Sequence, residues 1–298
     1  MPPLRPRLLH FLPILFAIPA LMLLSACASA PSGAAAPAAA APLKVMTFNV
    51  RLPEESDGPN YWEVRKGLAA RMVRDAAPDV FGTQELFQRQ GDYLAAQLPD
   101  YAWFGRGRQA DGGGEQMGVF YRKAALRLRE SGHFWLSDTP EVPGSITWGN
   151  LFPRMVTWGL FERVADGRRF YLLDTHLPYR EQDGDARLRG ARLILSRIAK
   201  LPADVPVVLT GDFNTAPDTP VHAALTEALH DAWDTAKNRS GPEATFHDFT
   251  GKPDHRIDWI LVRGLDVRSV RTIDMNENGR YPSDHFPVIA ELDFPPAP

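Results

Sequence analysis

Ser283-Asp284-His285-Phe286-Pro287, close to the end of the chain, decides the reading because stretches of the same character recur upstream. They are Thr47-Phe48-Asn49, Gln84-Glu85, Asp174-Thr175-His176, Thr210-Gly211-Asp212-Phe213-Asn214 and Arg256-Ile257-Asp258. Each places residues able to hold a metal or move a proton at an end of an apolar, β-prone run. Val207-Val208-Leu209 before Asp212 is one example, and Arg169 to Leu173 before Asp174 is another. One such coincidence carries little weight. Six in one chain predict a single site assembled from the ends of several strands, where enzymes on a rigid sheet place their chemistry.

The first 42 residues belong to no such pattern. Arg5 and Arg7 precede a nearly continuous apolar run, Leu8 to Leu24, and Leu24-Ser25-Ala26-Cys27 follows. This resembles a bacterial lipoprotein signal, with small residues before a cysteine that is lipidated after cleavage. A signal anchor, or a secretory peptide cut elsewhere, is the alternative. The run holds 17 residues and is interrupted by Pro13 and Pro19, which makes a poor permanent span. Cys27 is the chain's one cysteine. Residues 1–26 are therefore expected to be a signal peptide, and residues 27–42 the lipidated Cys27 with an Ala/Pro-rich tether. Ala28 does not resemble the Asp that signals inner-membrane retention. The expected location is the bacterial cell envelope, lipid-anchored at the outer membrane and facing periplasm or exterior.

The remaining residues, 43–298, suit one large two-sheet or barrel domain. Without Cys27 they offer no disulfide and no thiolate metal site. Net charge is −3 for the chain and about −5 once Arg5 and Arg7 are removed. The densest basic run, Arg122-Lys123, Arg127 and Arg129, alternates like the outside of a strand. Binding to a nucleic-acid backbone normally needs a basic face, so nucleic acid is not the favoured partner.

Period-2 or continuous apolar runs predict strands at 44–50, 79–83, 117–122, 126–136, 155–163, 169–175, 206–210, 257–263, 267–273 and 286–293. Helices are predicted at 61–76, 86–97, 184–200 and 220–229, the last opened by Pro220 after an Asp218-Thr219 cap signal. Stretches 52–60, 105–116, 137–154 and 236–255 read as long loops able to shape substrate choice.

Glu85 reads either as an acid favoured near a helix N-terminus or, with Asn49 ending a neighbouring strand, as an oxygen ligand. Mg²⁺ needs only one or two carboxylates beside waters and substrate oxygens. Asp212 and Asn214 share a face if the segment is extended, and could hold and deprotonate a water. An Asx turn is the other reading. His176 and His285 each stand at a strand end among acids. An acid paired to histidine raises its basicity and sets its tautomer, and Asp258 is the candidate partner of His285. Trp148, Trp158, Tyr179, Trp233 and Phe246 form either a stacking floor, Trp148 foremost, or core.

Taken together, and in this order, the six stretches resemble the motif series of the endonuclease/exonuclease/phosphatase superfamily. That group includes DNase I-like nucleases, abasic-site endonucleases, neutral sphingomyelinases and inositol-phosphate phosphatases. The resemblance covers nearly all of 44–293. It implies an α/β fold, a four-layer sandwich of two mixed, mostly antiparallel β-sheets packed face to face and flanked by helices. It also implies Mg²⁺- or Mn²⁺-dependent hydrolysis of phosphate esters. By similarity Glu85 binds metal, with Asn49 and Asp284 beside it, while Asp212 and Asn214 position or activate water. His285, paired to Asp258, contacts the scissile phosphate or moves a proton, and His176 does similar work opposite. Glu115 stands where DNase-like members carry an acid paired to that second histidine. Phe134-Trp135-Leu136-Ser137, Pro140, and Arg154 before Val156-Thr157-Trp158 resemble exported bacterial members, in which Arg154 would hold phosphate; a surface arginine at a strand edge is the other reading. Two features depart from the nucleases. Arg51 stands where abasic-site enzymes carry an acid, and Gln116-Met117-Gly118 replaces a polar pair.

The resulting expectation is a membrane-tethered, monomeric phosphoesterase acting on a small or lipid-linked phosphate. An extracellular nuclease is the alternative enzyme, and a catalytically silent ligand-binding lipoprotein the alternative of another class.

Overall fold

Strands whose alternate side chains enter different cores read as continuous apolar runs, and β1 (Leu43–Asn49) is built this way. Its Leu43 and Val45 enter one buried cluster, while Met46 and Phe48 enter another. The computed structural model describes residues 2–3, 8–13 and 41–296. It divides into two units, Met1–Ala39 and Ala40–Pro298. In the first, the described residues are exposed and carry neither helix nor strand. Cys27 and most of the expected signal peptide lie outside the described residues. Among the described residues, no helix is long and apolar enough to cross a membrane.

In the second unit β1 is followed by α1 (Trp62–Ala76), β2 (Val80–Gln84), α2 (Gln88–Gln97), β3 (Tyr101–Phe104) and β4 (Val119–Arg122). Next come β5 (Leu126–Trp135), β6 (Met155–Arg163), β7 (Arg169–His176), α3 (Gly184–Ile198), β8 (Val207–Asp212) and α4 (Pro220–Thr226). The chain closes with β9 (His230–Asp231), α5 (Ala232–Thr235), β10 (Asn238–Ser240), β11 (Asp258–Arg263), β12 (Asp266–Thr272) and β13 (Val288–Asp293). One sheet runs β10-β12-β13-β1-β2-β4-β3, the other β5-β6-β7-β8-β11-β9. Both are mixed and mostly antiparallel, with β1–β2, β7–β8 and β10–β12 parallel.

Four layers result. Val45, Val80 and Val119 of the first sheet meet Phe161, Phe170, Leu172, Val208 and Ile260 of the second. Outside the first sheet, Trp62, Ala69, Met72 and Val73 of α1 and Leu94 of α2 cover Phe48, Phe81 and Phe120. Outside the second, Ala191 and Ile194 of α3 with Val221 and Leu225 of α4 cover Leu173 and Leu209.

One polar contact crosses between the sheets beneath the site. The buried Asp174 accepts hydrogen bonds from Gln84 Nε2 and Thr210 Oγ1, both at 2.7 Å. Burial holds its carboxyl well above the usual carboxylate range. The sheets approach this closely because residue 82 is glycine; a Cβ there would lie 2.1 Å from Asp174 Oδ1.

Several predicted boundaries shift. The strand predicted at 286–293 begins at Val288, because Pro287 has no N–H for the ladder and its carbonyl serves Ile273 instead. The helix predicted at 86–97 begins at Gln88, since Glu85 is left-handed, φ +57°, and Gln90 Oε1 accepts the Phe87 N–H at 2.9 Å. The helix at 220–229 stops at Thr226, and short strands β3, β9 and β10 with helix α5 were not predicted.

Candidate active site

Strand direction and register bring the site residues to one edge. Asn49 and Gln84 pair across β1 and β2. His176 pairs with Asp212, and Asp212 with Asp258, because β8 runs parallel to β7 and antiparallel to β11. His285 arrives on the segment leading into β13, which runs antiparallel to β1.

Asn49 is the centre of the cluster. Its Nδ2 donates to Asp212 Oδ2 at 2.9 Å and Glu85 Oε1 at 3.2 Å, and lies 3.5 Å from His285 Nε2. Its carbonyl oxygen accepts the Arg51 N–H at 2.9 Å. Asn49 therefore positions Glu85 and Asp212, and its side-chain oxygen, which accepts one N–H, keeps a second lone pair.

His285 Nδ1 stands 2.8 Å from Asp258 Oδ2, as the sequence predicted. Burial opposes charging His285, but the carboxylates of Asp258, Asp212 and Asp284 outweigh it and hold the imidazole well above its usual range. His176 shows the reverse. Burial first, then Arg154 and Arg108, keep it well below the usual range and neutral. Its Nε2 is 3.5 Å from Asp212 Oδ2. The expected bond to Glu115 is not made, since Glu115 Oε2 lies 3.7 Å from His176 Nδ1, beyond hydrogen-bond range. Glu115 is held instead by Arg108, with contacts of 2.7 Å to each oxygen.

Asp212 is pushed up to about 7 by burial and then by the Asp258 charge. The shared face predicted for Asp212 and Asn214 does not form. Asn214 turns left-handed, φ +50°, its N–H closes an Asx turn on Asp212 Oδ1 at 2.9 Å, and its amide donates to the Leu177 carbonyl at 3.0 Å. It lines the cavity all the same.

Glu85 is no helix-start acid. Three residues before α2, its Oε2 accepts the Leu52 N–H at 2.9 Å. Asp284 is raised by burial above all, with the Glu85 charge adding to it. A half-buried Glu85 beside a buried Asp284 gains from a divalent cation between them, and an all-oxygen donor pair suits a hard ion. Donor atoms of Glu85, His176 and Asp212 also converge within 4.8 Å. A second convergence, Asp212-Asp258-His285, is already satisfied by the Asp258–His285 bond. A third, His222-Asp231-Asp234, is closed by Arg256, whose Nη1 lies 2.8 Å from Asp231.

The cavity among these groups measures about 380 Å³ and is lined by Arg51, Glu85, Arg154, His176, Asp212, Asp284 and His285. Phe152, Tyr179 and Phe246 form apolar walls. Trp148 is not among them; it donates to Asp138 Oδ1 at 2.8 Å and, like Trp158, packs against the outer core. Trp233 packs in the inner core. Arg154 is 3% exposed, and its Nη1 is buried without a hydrogen-bond partner.

Arg65 was not anticipated. It is buried on the inner stripe of α1 between Trp62 and Leu68, and a charge on an apolar stripe was the available signal. Its guanidinium donates to the carbonyls of Val50, Arg51, Asn60 and Pro282 at 2.7–2.8 Å. It thus ties the Asn49 end of β1 to the approach to Asp284 and His285.

Residues 46–285 match the Endonuclease/Exonuclease/phosphatase family. A mannosyl-6-phosphatase of Bacteroides thetaiotaomicron has a similar structure, 32% identical, covering 85% of this chain and 100% of that one, with a TM-score of 0.79. Nocturnin of Drosophila melanogaster is 24% identical over 293 residues, covering 83% of this chain but only 44% of nocturnin. Tyrosyl-DNA phosphodiesterase 2 of Danio rerio is 22% identical over 268 residues, covering 84% of this chain and 67% of its own length. With the four-layer fold and the match over nearly its whole second unit, the chain belongs to the endonuclease/exonuclease/phosphatase family.

Proposed function

We propose that this chain is a divalent-metal-dependent phosphoesterase acting on a small phosphate ester, with sugar phosphates the leading class. The observation that carries this reading is Arg154, a guanidinium 3% exposed that lines the carboxylate-rich cavity and whose Nη1 has no hydrogen-bond partner. A buried cation of that kind calls for an anion. The sugar class rests on the 32% identical mannosyl-6-phosphatase.

Glu85 and Asp284 would hold Mg²⁺ or Mn²⁺, with Asn49 fixing Glu85. Bound there, the ion supplies Lewis-acid charge to the phosphate oxygens. Asp212, near neutrality in its proton affinity, takes the proton from the attacking water, and Asn214 fixes its carboxylate through the Asx turn. The His285 imidazolium, oriented by Asp258, stabilises charge gathering on the phosphorus-bound oxygens. His176, neutral and in reach of Asp212, supports it from the opposite side. Arg154 binds the phosphate, and Glu115 with Arg108 shapes the wall behind it.

Hydrolysis of mannose 6-phosphate and p-nitrophenyl phosphate with Mg²⁺, Mn²⁺ or EDTA tests the reading. Turnover abolished by EDTA and restored by metal is expected; turnover indifferent to EDTA would remove the metal from the mechanism. Export and tethering through Cys27 belong to the same proposal, as does a monomeric state. Mass spectrometry of membrane-extracted protein is expected to find a lipidated Cys27 at the mature N-terminus. An unmodified Cys27 would sink the tether.

A further inference from the structure

Arg51 lies two residues beyond Asn49 and adopts a left-handed backbone, φ +56°, which is unfavourable for any residue with a Cβ. Three side chains impose it. Asn49 Oδ1 accepts the Arg51 N–H at 2.9 Å, and Arg65 and Gln90 each donate to its carbonyl at 2.8 Å. Asp57 aims the guanidinium by accepting from Nε at 3.0 Å and Nη2 at 2.8 Å. Among the described residues Nη1 has no hydrogen-bond partner, and the side chain lines the cavity 3.7 Å from Asp284.

A fixed guanidinium next to the carboxylates assigned to a divalent cation concentrates positive charge at one end of the cavity once that ion is bound. Asp57 and Asp284 offset part of that charge, and a phosphate entering the cavity would be held by what remains. We propose that Arg51 is a specificity-determining residue: with Arg154, it selects the terminal phosphate of a phosphomonoester over the bridging phosphate of a diester. The proposal rests on the phosphoesterase reading above. At neutral pH a monoester carries roughly 1.5 to 2 negative charges and three unsubstituted oxygens; a diester carries one charge and has two such oxygens. Arg154 and the ion can engage either substrate. The additional charge and oxygen are what a second guanidinium recognises. If Arg51 and Asp57 only clasped the loop, removing Arg51 would harm both substrates alike.

The test compares kcat/KM for p-nitrophenyl phosphate and bis-p-nitrophenyl phosphate, with Mg²⁺, in the full-length chain and its Arg51→Gln and Arg51→Lys variants. The wild type is expected to favour the monoester. Arg51→Gln should lower monoester kcat/KM by about 10- to 100-fold and diester kcat/KM by less than about threefold. Arg51→Lys, keeping the charge but not the fork, should fall between. Equal losses on both substrates, or a wild type that prefers the diester, would overturn the proposal. If neither ester is turned over, the phosphoesterase reading fails, and Arg51 is judged by calorimetry of inorganic phosphate binding with and without Mg²⁺. Binding weakened about tenfold or more in Arg51→Gln upholds its role, and unchanged affinity overturns it.

Discussion

His285→Ala is expected to lower kcat/KM on the order of 10³-fold or more and to destabilise the fold by about 3–5 kcal/mol. The second effect is unusual for a residue at a strand end, and it follows from what surrounds the ring. Asp258 Oδ2 lies 2.8 Å from Nδ1 and Asp212 Oδ2 3.9 Å from Nε2. Asp258 Oδ1 already has no hydrogen-bond partner. Removing the imidazolium leaves the buried Asp258 without its side-chain partner and beside the charge of Asp212. His285→Gln separates the two consequences. Its amide can still donate to Asp258, so much of the stability should return while turnover stays lost. Chemical denaturation beside steady-state kinetics makes the comparison. A His285→Ala variant with more than about a tenth of wild-type kcat/KM would take His285 out of the chemistry.

Glu85→Gln is expected to weaken Mn²⁺ binding about 100-fold and to lower turnover on the order of 10³-fold, with a far smaller effect on folding. Glu85 accepts from the Leu52 N–H and from Asn49 Nδ2. Glutamine keeps an acceptor for one of these and removes the charge a cation needs. Calorimetry with Mn²⁺ reads the affinity without relying on activity. Undiminished affinity would move the ion away from Glu85, and the arrangement drawn around Asn49 and Asp284 would go with it.

The site was legible in the sequence where a polar residue ends a β-prone run, as Asn49, His176 and Asp212 do. Strand ends on one edge converge by topology alone, so the residue types sufficed to group them. The Asp258–His285 pair was legible for a related reason, since one acid opening an apolar strand needs a partner. What escaped was set by tertiary contact. The bond expected between Glu115 and His176 is pre-empted by Arg108, seven residues before Glu115 and never suggested by spacing. The common face of Asp212 and Asn214 assumed an extended chain, and the left-handed turn at Asn214 breaks it. Trp148 was the foremost candidate for a stacking floor, yet its indole is taken by Asp138. Among the elements, β10 is polar and fully exposed, so hydrophobic periodicity had nothing to register. Strand β3 is half-buried throughout and owes its place at the sheet edge to pairing with β4.

Asn49 touches Glu85, Asp212 and His285, which lie 36, 163 and 236 positions away along the chain. Closing loops of that length carries an entropic cost that local contacts do not. No fragment or half-assembled intermediate holds this constellation: a chain lacking β13 and the segment before it has no His285, and one stopped before β8 has no Asp212. The constellation therefore requires the chain from β1 through the segment leading into β13.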